Sequence, residues 1–415
     1  MKSKAFFKAG HWPTLLASFL YFDVSFMVWV ILGPLGPFLG ESLHLSATQK
    51  GFLVSVPLLA GSFFRPLMGA LADRIGGKNT GLIGLALTLL PLLCGWLWAT
   101  ELQHFYLVGI LLGVAGASFA VALPLASRWY PPEMQGTALG IAGAGNSGTV
   151  LATLFIPRLA ASLGWKAAFG IAALPVLAVL VVFALIAKES HAPRRPIGLS
   201  GYKALLAESD TRWFCTLYSI TFGGFVGLAT FATLFFVDQY HLTKVTAGDM
   251  ATLIVICGSG VRPIGGWLAD RFGGYRVLLS VLLGVGVFTA GISMLPPLQL
   301  VVAMLMITMA LLGIGNGAIF QLVPQRFPTS VGIVTGLVGA AGGIGGFCLP
   351  SLLGALKDRT GTYSIGLVCF AAIGLLGFLQ LLRLGSYWSR AWDRDAGERT
   401  GVFCYVEWFK QKLAA

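Results

Sequence analysis

Twelve apolar runs, all of 20 residues or more, dominate this chain and leave few folds open to it. They fall roughly at 13–39, 48–71, 80–99, 103–126, 134–160, 165–187, 212–237, 246–270, 276–296, 298–322, 331–356 and 362–383. A helix of about 20 apolar residues crosses the hydrocarbon core of a bilayer. The runs are continuous rather than alternating, which excludes a barrel. The chain is therefore expected to be an all-α polytopic membrane protein with twelve transmembrane helices, numbered 1 to 12 in chain order. Charged residues make up only 11% of it, against roughly 25% in soluble domains.

The basic start MKSKAFFK precedes a run too long for a signal peptide, and no small-x-small cleavage site ends that run. It is read as the first spanning helix. The net charge of +12 would suggest a nucleic-acid partner in a soluble protein. Here the positive charges follow the topology. With alternate loops taken as cytoplasmic, 20 of the 28 Lys and Arg residues lie inside. Six lie in outer loops: Lys50, Arg158, Lys166, Lys244, Lys357 and Arg359. The positive-inside rule then puts both termini in the cytoplasm of a multi-pass protein of the cell (inner) membrane, expected as a monomer with no nucleic-acid partner. The six cysteines show no CxxC or ligand spacing and read as packing residues. No metal set, cofactor motif or Ser-His-Asp arrangement is present, so no catalytic residue is expected.

A phrase is written twice. GSFFRPLMGALADRIGG begins at Gly61 and GSGVRPIGGWLADRFGG begins at Gly258, identical at eleven of seventeen positions. The copies end helices 2 and 8. GVAGASFAVALP in helix 4 is echoed by GIGNGAIFQLVP in helix 10, and GAGNSG in helix 5 falls opposite GGIGG in helix 11. The chain thus divides into a six-helix half (1–187), a polar, proline-containing inter-half loop (188–211), a second six-helix half (212–383) and a cytoplasmic tail (384–415). The tail's Trp and Arg residues suggest a strand along the inner membrane surface.

Each copy carries an arginine, Arg65 or Arg262, eight residues before the aspartate (Asp73 or Asp270) that marks the helix end. At about 1.5 Å per residue that is roughly 12 Å into the membrane, near the middle of a ~30 Å core. An arginine there costs at least ~2.5–3.5 kcal/mol. One remedy is a salt bridge to an acid, but Asp23 alone of the sixteen acids lies well inside a helix. The other remedy is a substrate anion held between two arginines at equal depth. The guanidinium is planar, permanently charged and bidentate, which suits a small flat oxyanion.

Other residues admit two readings. Asn146 on helix 5 can donate to an anion oxygen or pack among glycines. Gly143, Gly145, Gly148, Gly339, Gly342, Gly343 and Gly346 read as helix-packing glycines of the small-xxx-small type, or as room for a ligand. Tyr218 and Phe222 lie one turn apart on helix 7. Phe119 on helix 4 and Phe320 on helix 10 occupy nearly equivalent repeat positions. All four aromatics can line a cavity or simply pack, and Asn316 can tune the cavity or bond a neighbouring helix. Asp23 has apolar neighbours; it suits a proton carrier, or is the fixed partner of one arginine. Asp73, Arg74, Asp270 and Arg271 form the loop motif expected to act in gating.

A parallel repeat of six helices resembles the major facilitator superfamily, whose substrate site lies near the midplane between halves. GALADRIGGK resembles its helix 2–3 loop signature. The paired Arg-Pro residues, GTALGIAGAGNSGT, GIGNGAIFQ and GLVGAAGGIGGFCLP resemble the nitrate/nitrite porter family. This resemblance implies nitrate between Arg65 and Arg262, with Phe119, Asn146, Tyr218 and Phe222 lining the site. FDVSFMVW resembles the assimilatory uptake branch. Proton symport would drive such uptake; nitrate/nitrite antiport is the alternative. Transport of another small anion, or a nitrate-binding sensor, are the rival functions.

Overall fold

The computed structural model describes residues 6, 8–190, 199–328, 330–392 and 394–402. Twelve helices are long and apolar enough to cross a membrane: Trp12–Ser42, Ala47–Ile75, Gly77–Leu97, Leu102–Ser127, Thr137–Leu163, Trp165–Ile186, Ser209–Tyr240, Lys244–Phe272, Gly274–Ser293, Leu298–Arg326, Val331–Thr360 and Ser364–Ala391. No strand occurs among the described residues.

Local chemistry sets the helix ends. Ser46 opens helix 2 with a capping box: its Oγ accepts from the Gln49 amide while Gln49 Oε1 accepts from the Ser46 amide. The glycine pair that closes each repeated phrase has a structural reason. Gly76 (φ 97°) and Gly273 (φ 88°) end helices 2 and 8 in a backbone conformation that other residues adopt only with strain.

Four spans are interrupted near mid-length, helix 1 among them at Val30–Ile31. Helix 4 breaks at Ala117–Ser118, helix 5 narrows to a 3₁₀ turn at Ala144–Ser147, and helix 8 restarts at Arg262 after Val261. Helix 2 runs unbroken through Pro57 and Pro66. The two arginine helices are therefore not identical copies.

Two expectations about the connections need correction. The inter-half segment is not all loop: it holds a short helix, Leu199–Ala207, and helix 7 already begins at Ser209. The start of the tail is not a strand. Helix 12 runs on to Ala391 and a short helix, Arg394–Thr400, follows. Trp388 and Trp392 are buried there, each donating its indole N–H to Asp210 at 2.9 and 3.2 Å. Residues 403–415 and 191–198 of the expected tail and loop lie outside the described residues.

The halves meet unevenly. The inter-half segment and both described chain ends mark one end of the bundle, the terminal end. At the far end the halves are stitched together. Lys50 Nζ pairs with Asp238 at 2.8 Å, and Asp238 also accepts from Tyr363 Oη at 3.0 Å. Asp358 caps helix 2 from the other half, accepting from the Ala47 and Thr48 amides at 3.0 and 2.8 Å. Arg158 pairs with Asp249 at 2.7 Å, and Lys244 pairs with Glu41. Toward the terminal end, a methyl group added at Gly140, Gly143, Gly332 or Gly336 would meet no atom within 4 Å. Among the described residues, every ion pair between the halves lies at the far end.

Candidate functional site

The repeated arginines come together where the halves meet. Arg65 is 2% exposed and has no ion pair among the described residues. Its Nε donates to the Gly116 carbonyl at 3.0 Å, an acceptor that the break in helix 4 leaves free of its own ladder. Its Nη1 donates to the Gly339 carbonyl of the opposite half. Three rings flank the guanidinium, Trp29 at 5.0 Å, Phe222 at 5.4 Å and Phe119 at 5.8 Å. Ring faces attract cations, but weakly, at about 0.5–2 kcal/mol each.

Arg262 opens the second segment of helix 8. Its Nη2 donates to Tyr218 Oη at 3.3 Å, and its Cζ lies 5.7 Å from the Phe320 ring. Its Nη1 is buried without a partner. Tyr218 stacks on Phe222 at 5.0 Å and 3°. Phe119 and Phe320 lie 6.0 Å apart, one against each arginine. The four aromatics that sequence left between packing and site thus form one cluster joining Arg65 to Arg262. Each arginine lies within electrostatic reach of Tyr218.

Asn146 lies in the 3₁₀ turn of helix 5 and is 1% exposed; neither its amide nitrogen nor its oxygen has a protein partner. An unpartnered buried amide costs about 1–3 kcal/mol, so the group is free to take a polar partner. Asn316 is likewise buried, with its Oδ1 unpartnered, but it makes no polar contact with Arg262. Its neighbour Gly317 packs against the Arg262 backbone.

Asp23 partners no arginine among the described residues. It accepts from Ser147 Oγ at 2.6 Å and from the Gly148 amide. This places the carboxylate one residue from Asn146, on the same turn of helix 5. Ser147 was not anticipated from sequence, nor was Trp29. A serine in a glycine run and a tryptophan in an aromatic-rich helix carry no distinguishing signal.

The glycines divide. A methyl group on Gly148 would collide with the Asp23 carbonyl, and one on Gly145 would reach 2.8 Å from Phe22. Gly342, Gly343 and Gly346 are similarly tight, Gly342 against Tyr218 and Phe222, Gly343 against Ser62 and Gly346 against Val226. Gly143 corrects the expectation of packing, because its surroundings are empty. Gly339 has ordinary room, 3.6 Å from Phe119. In the loop motif, Asp73 pairs with Arg128 at 2.9 Å, whereas Arg271 lies over Trp267 and Phe272. Arg74 and Asp270 have no ion pair among the described residues.

The family model of the Major Facilitator Superfamily matches residues 16–350. A probable nitrate/nitrite transporter of Mycobacterium tuberculosis, NarK2, is 34% identical over 85% of this chain and 91% of its own length. The nitrite extrusion protein of Bacillus subtilis is 31% identical over 88% and 91%. This chain belongs to the nitrate/nitrite porter family of the major facilitator superfamily. A probable nitrate/nitrite antiporter of Thermus thermophilus, NarK1, is 30% identical over 88% and 90%. Among solved structures, a D-xylose-proton symporter matches with a TM-score of 0.73 at 15% identity, covering 89% of this chain and 96% of that one. That likeness concerns the fold alone. The family is one of transporters, not enzymes.

Proposed function

We propose that this chain imports nitrate, with nitrite as a second substrate, by alternating access around Arg65 and Arg262. The observation that carries the reading is a pair of deeply placed arginines without a carboxylate partner among the described residues. Arg262 Nη1 is itself unpartnered, and the buried Asn146 amide is a further polar group without a partner among the described residues. A small planar oxyanion supplies acceptors to these groups and offsets one of the two positive charges. The aromatic cluster, with ring centroids 5.0–6.0 Å apart around the arginines, disfavours a bulky organic anion. The names of the relatives support the same substrate class.

The excess of positive charge at the terminal end supports a cytoplasmic location for it. The far-end seal is then the closed outer gate, and the bundle faces inward. For outer access, Lys50–Asp238, Arg158–Asp249, Lys244–Glu41 and the Asp358 cap must all separate. The halves would rock about the arginines, with Arg65 exchanging the Gly339 carbonyl for the anion. Glycine contacts between helices 2 and 11, Gly51 against Pro350 and Gly354 and Gly343 against Ser62, permit that sliding with little side-chain interlock.

Uptake of an anion against an inside-negative potential costs about 2.3 kcal/mol per charge per 100 mV. Proton symport offsets this, with Asp23 as the carrier and Ser147 holding it beside the anion-facing turn. A second reading, nitrite exchange, is favoured by the relatives named for nitrite extrusion and antiport. Labelled nitrate uptake into proteoliposomes separates the two. Acceleration by an inward pH gradient supports symport, and dependence on internal nitrite supports exchange. No uptake under either condition would overturn the transport reading.

A further inference from the structure

We infer that the seam between helices 9 and 12, at the terminal end, holds the headgroup and upper acyl chain of an anionic phospholipid. A groove of about 310 Å³ lies there, lined by Arg276, Leu279, Ser280, Leu283 and Phe378. Its composition is ordered by depth. Arg276 is the third residue of helix 9, which begins at Gly274. At about 1.5 Å per residue, Ser280 lies roughly 6 Å deeper and Leu283 roughly 10 Å deeper. The sequence from the bundle end inward is thus guanidinium, hydroxyl, apolar floor, the same order as phosphate, glycerol and acyl chain.

The groove faces outward. Arg276, Ser280, Leu283 and Val287 form the exposed stripe of helix 9 at helical spacing, while Tyr275, Leu278 and Leu282 are buried on the other side. Helices 9 and 12 pack tightly beneath it: Tyr275 Oη donates to the Leu381 carbonyl at 3.0 Å, and Gly286 abuts Gly374. That bond also sets the level of the two helices. Arg383, two residues beyond Leu381, adds a second exposed cation at the depth of Arg276.

The charge is available. Three other arginines at this end are engaged: Arg128 with Asp73, Arg326 with Asp210, and Arg271 over two rings. Neither Arg276 nor Arg383 has an ion pair among the described residues, and no lining residue of the groove is acidic. Basic pockets between transmembrane helices select anionic headgroups, each cation near the surface contributing about 1 kcal/mol. A soluble phosphate would use the arginine but not the apolar floor, so the floor commits the site to a lipid.

The test uses the full-length protein purified in neutral detergent, with dioleoyl phosphatidylglycerol as the probe and native mass spectrometry as the readout. One phosphatidylglycerol should stay bound, with phosphatidylcholine retained far less. Arg276→Gln should weaken retention about fivefold. Leu283→Trp, which fills the floor and leaves the charge, should weaken it as well. Both positions are exposed, so neither change threatens the fold, and nitrate binding should be unaltered in both. Equal retention of the two lipids, or unchanged retention by Arg276→Gln, would overturn the inference. So would displacement of the lipid by equimolar inorganic phosphate.

Discussion

Lys50→Met should shift the conformational balance toward the outward-open state without unfolding the protein. Lys50 reaches across the halves, and its Nζ lies 2.8 and 3.0 Å from the two Asp238 oxygens. Methionine keeps most of the stem that packs over Gly40, where an added methyl would stand 2.7 Å from Lys50 Cδ. Asp238 is not left bare, because Tyr363 Oη still donates to it and Lys357 remains nearby. The main loss is therefore the link between halves. A hydrogen bond to a charged group contributes about 1.5–3 kcal/mol. With side chains 18% and 15% exposed, solvent screens the pair in part, and the lower end applies. About 1.4 kcal/mol is tenfold in an equilibrium, so outward-open molecules should increase about tenfold. Double electron–electron resonance between labels at Thr100 and Met294, one on each half at the far end, would read the populations in a background without native cysteines. Tyr363→Phe is the control: it removes a bond to the same carboxylate within one half and should move the distribution less. An unchanged distribution in Lys50→Met would refute the role of this pair in the outer gate.

Three further outcomes follow from the site. Asn146→Ala should weaken nitrate binding, and Asn146→Asp should weaken it more by setting a negative charge beside the anion; parental affinity in both would reduce Asn146 to packing. Gly148→Ala should destabilise the helix 1–helix 5 contact by about 1–3 kcal/mol as overpacking, lowering the melting temperature, whereas Gly143→Ala should melt like the parent. Asp23→Asn and Ser147→Ala should both leave nitrate/nitrate exchange intact and reduce acceleration by an inward pH gradient. Undiminished gradient-driven accumulation in Asp23→Asn would remove the carboxylate from the proton path.

The parts of this fold that were legible in sequence are those set by solvent. Twelve apolar runs require twelve helices because lipid offers the backbone no hydrogen bonds. The duplicated phrase gave the two halves, and the depth of Arg65 and Arg262 followed from counting residues to Asp73 and Asp270. What stayed illegible depends on contacts between distant segments. Nothing local tells that Asp23 meets Ser147 rather than an arginine, or that Trp29 stacks on Arg65. Gly143 and Gly148 look alike in a run of glycines, yet one faces empty space and the other the Asp23 backbone. The short helix at Leu199–Ala207 was hidden by the prolines before it. The extension of helix 12 to Ala391 was hidden by charges that pattern reading assigns to a tail. There the buried Asp210, with two indole N–H groups and Arg326, holds the segment in place.

Nitrate binding to the purified protein, measured calorimetrically beside Arg65→Lys and Arg262→Lys, tests the anion clamp most directly. Lysine keeps the positive charge but loses the planar fork that can give one bond to a protein carbonyl or phenol and another to the anion. The parent should bind nitrate, and both variants should fold like the parent and show no measurable binding. Near-parental affinity in either lysine variant would contradict the clamp.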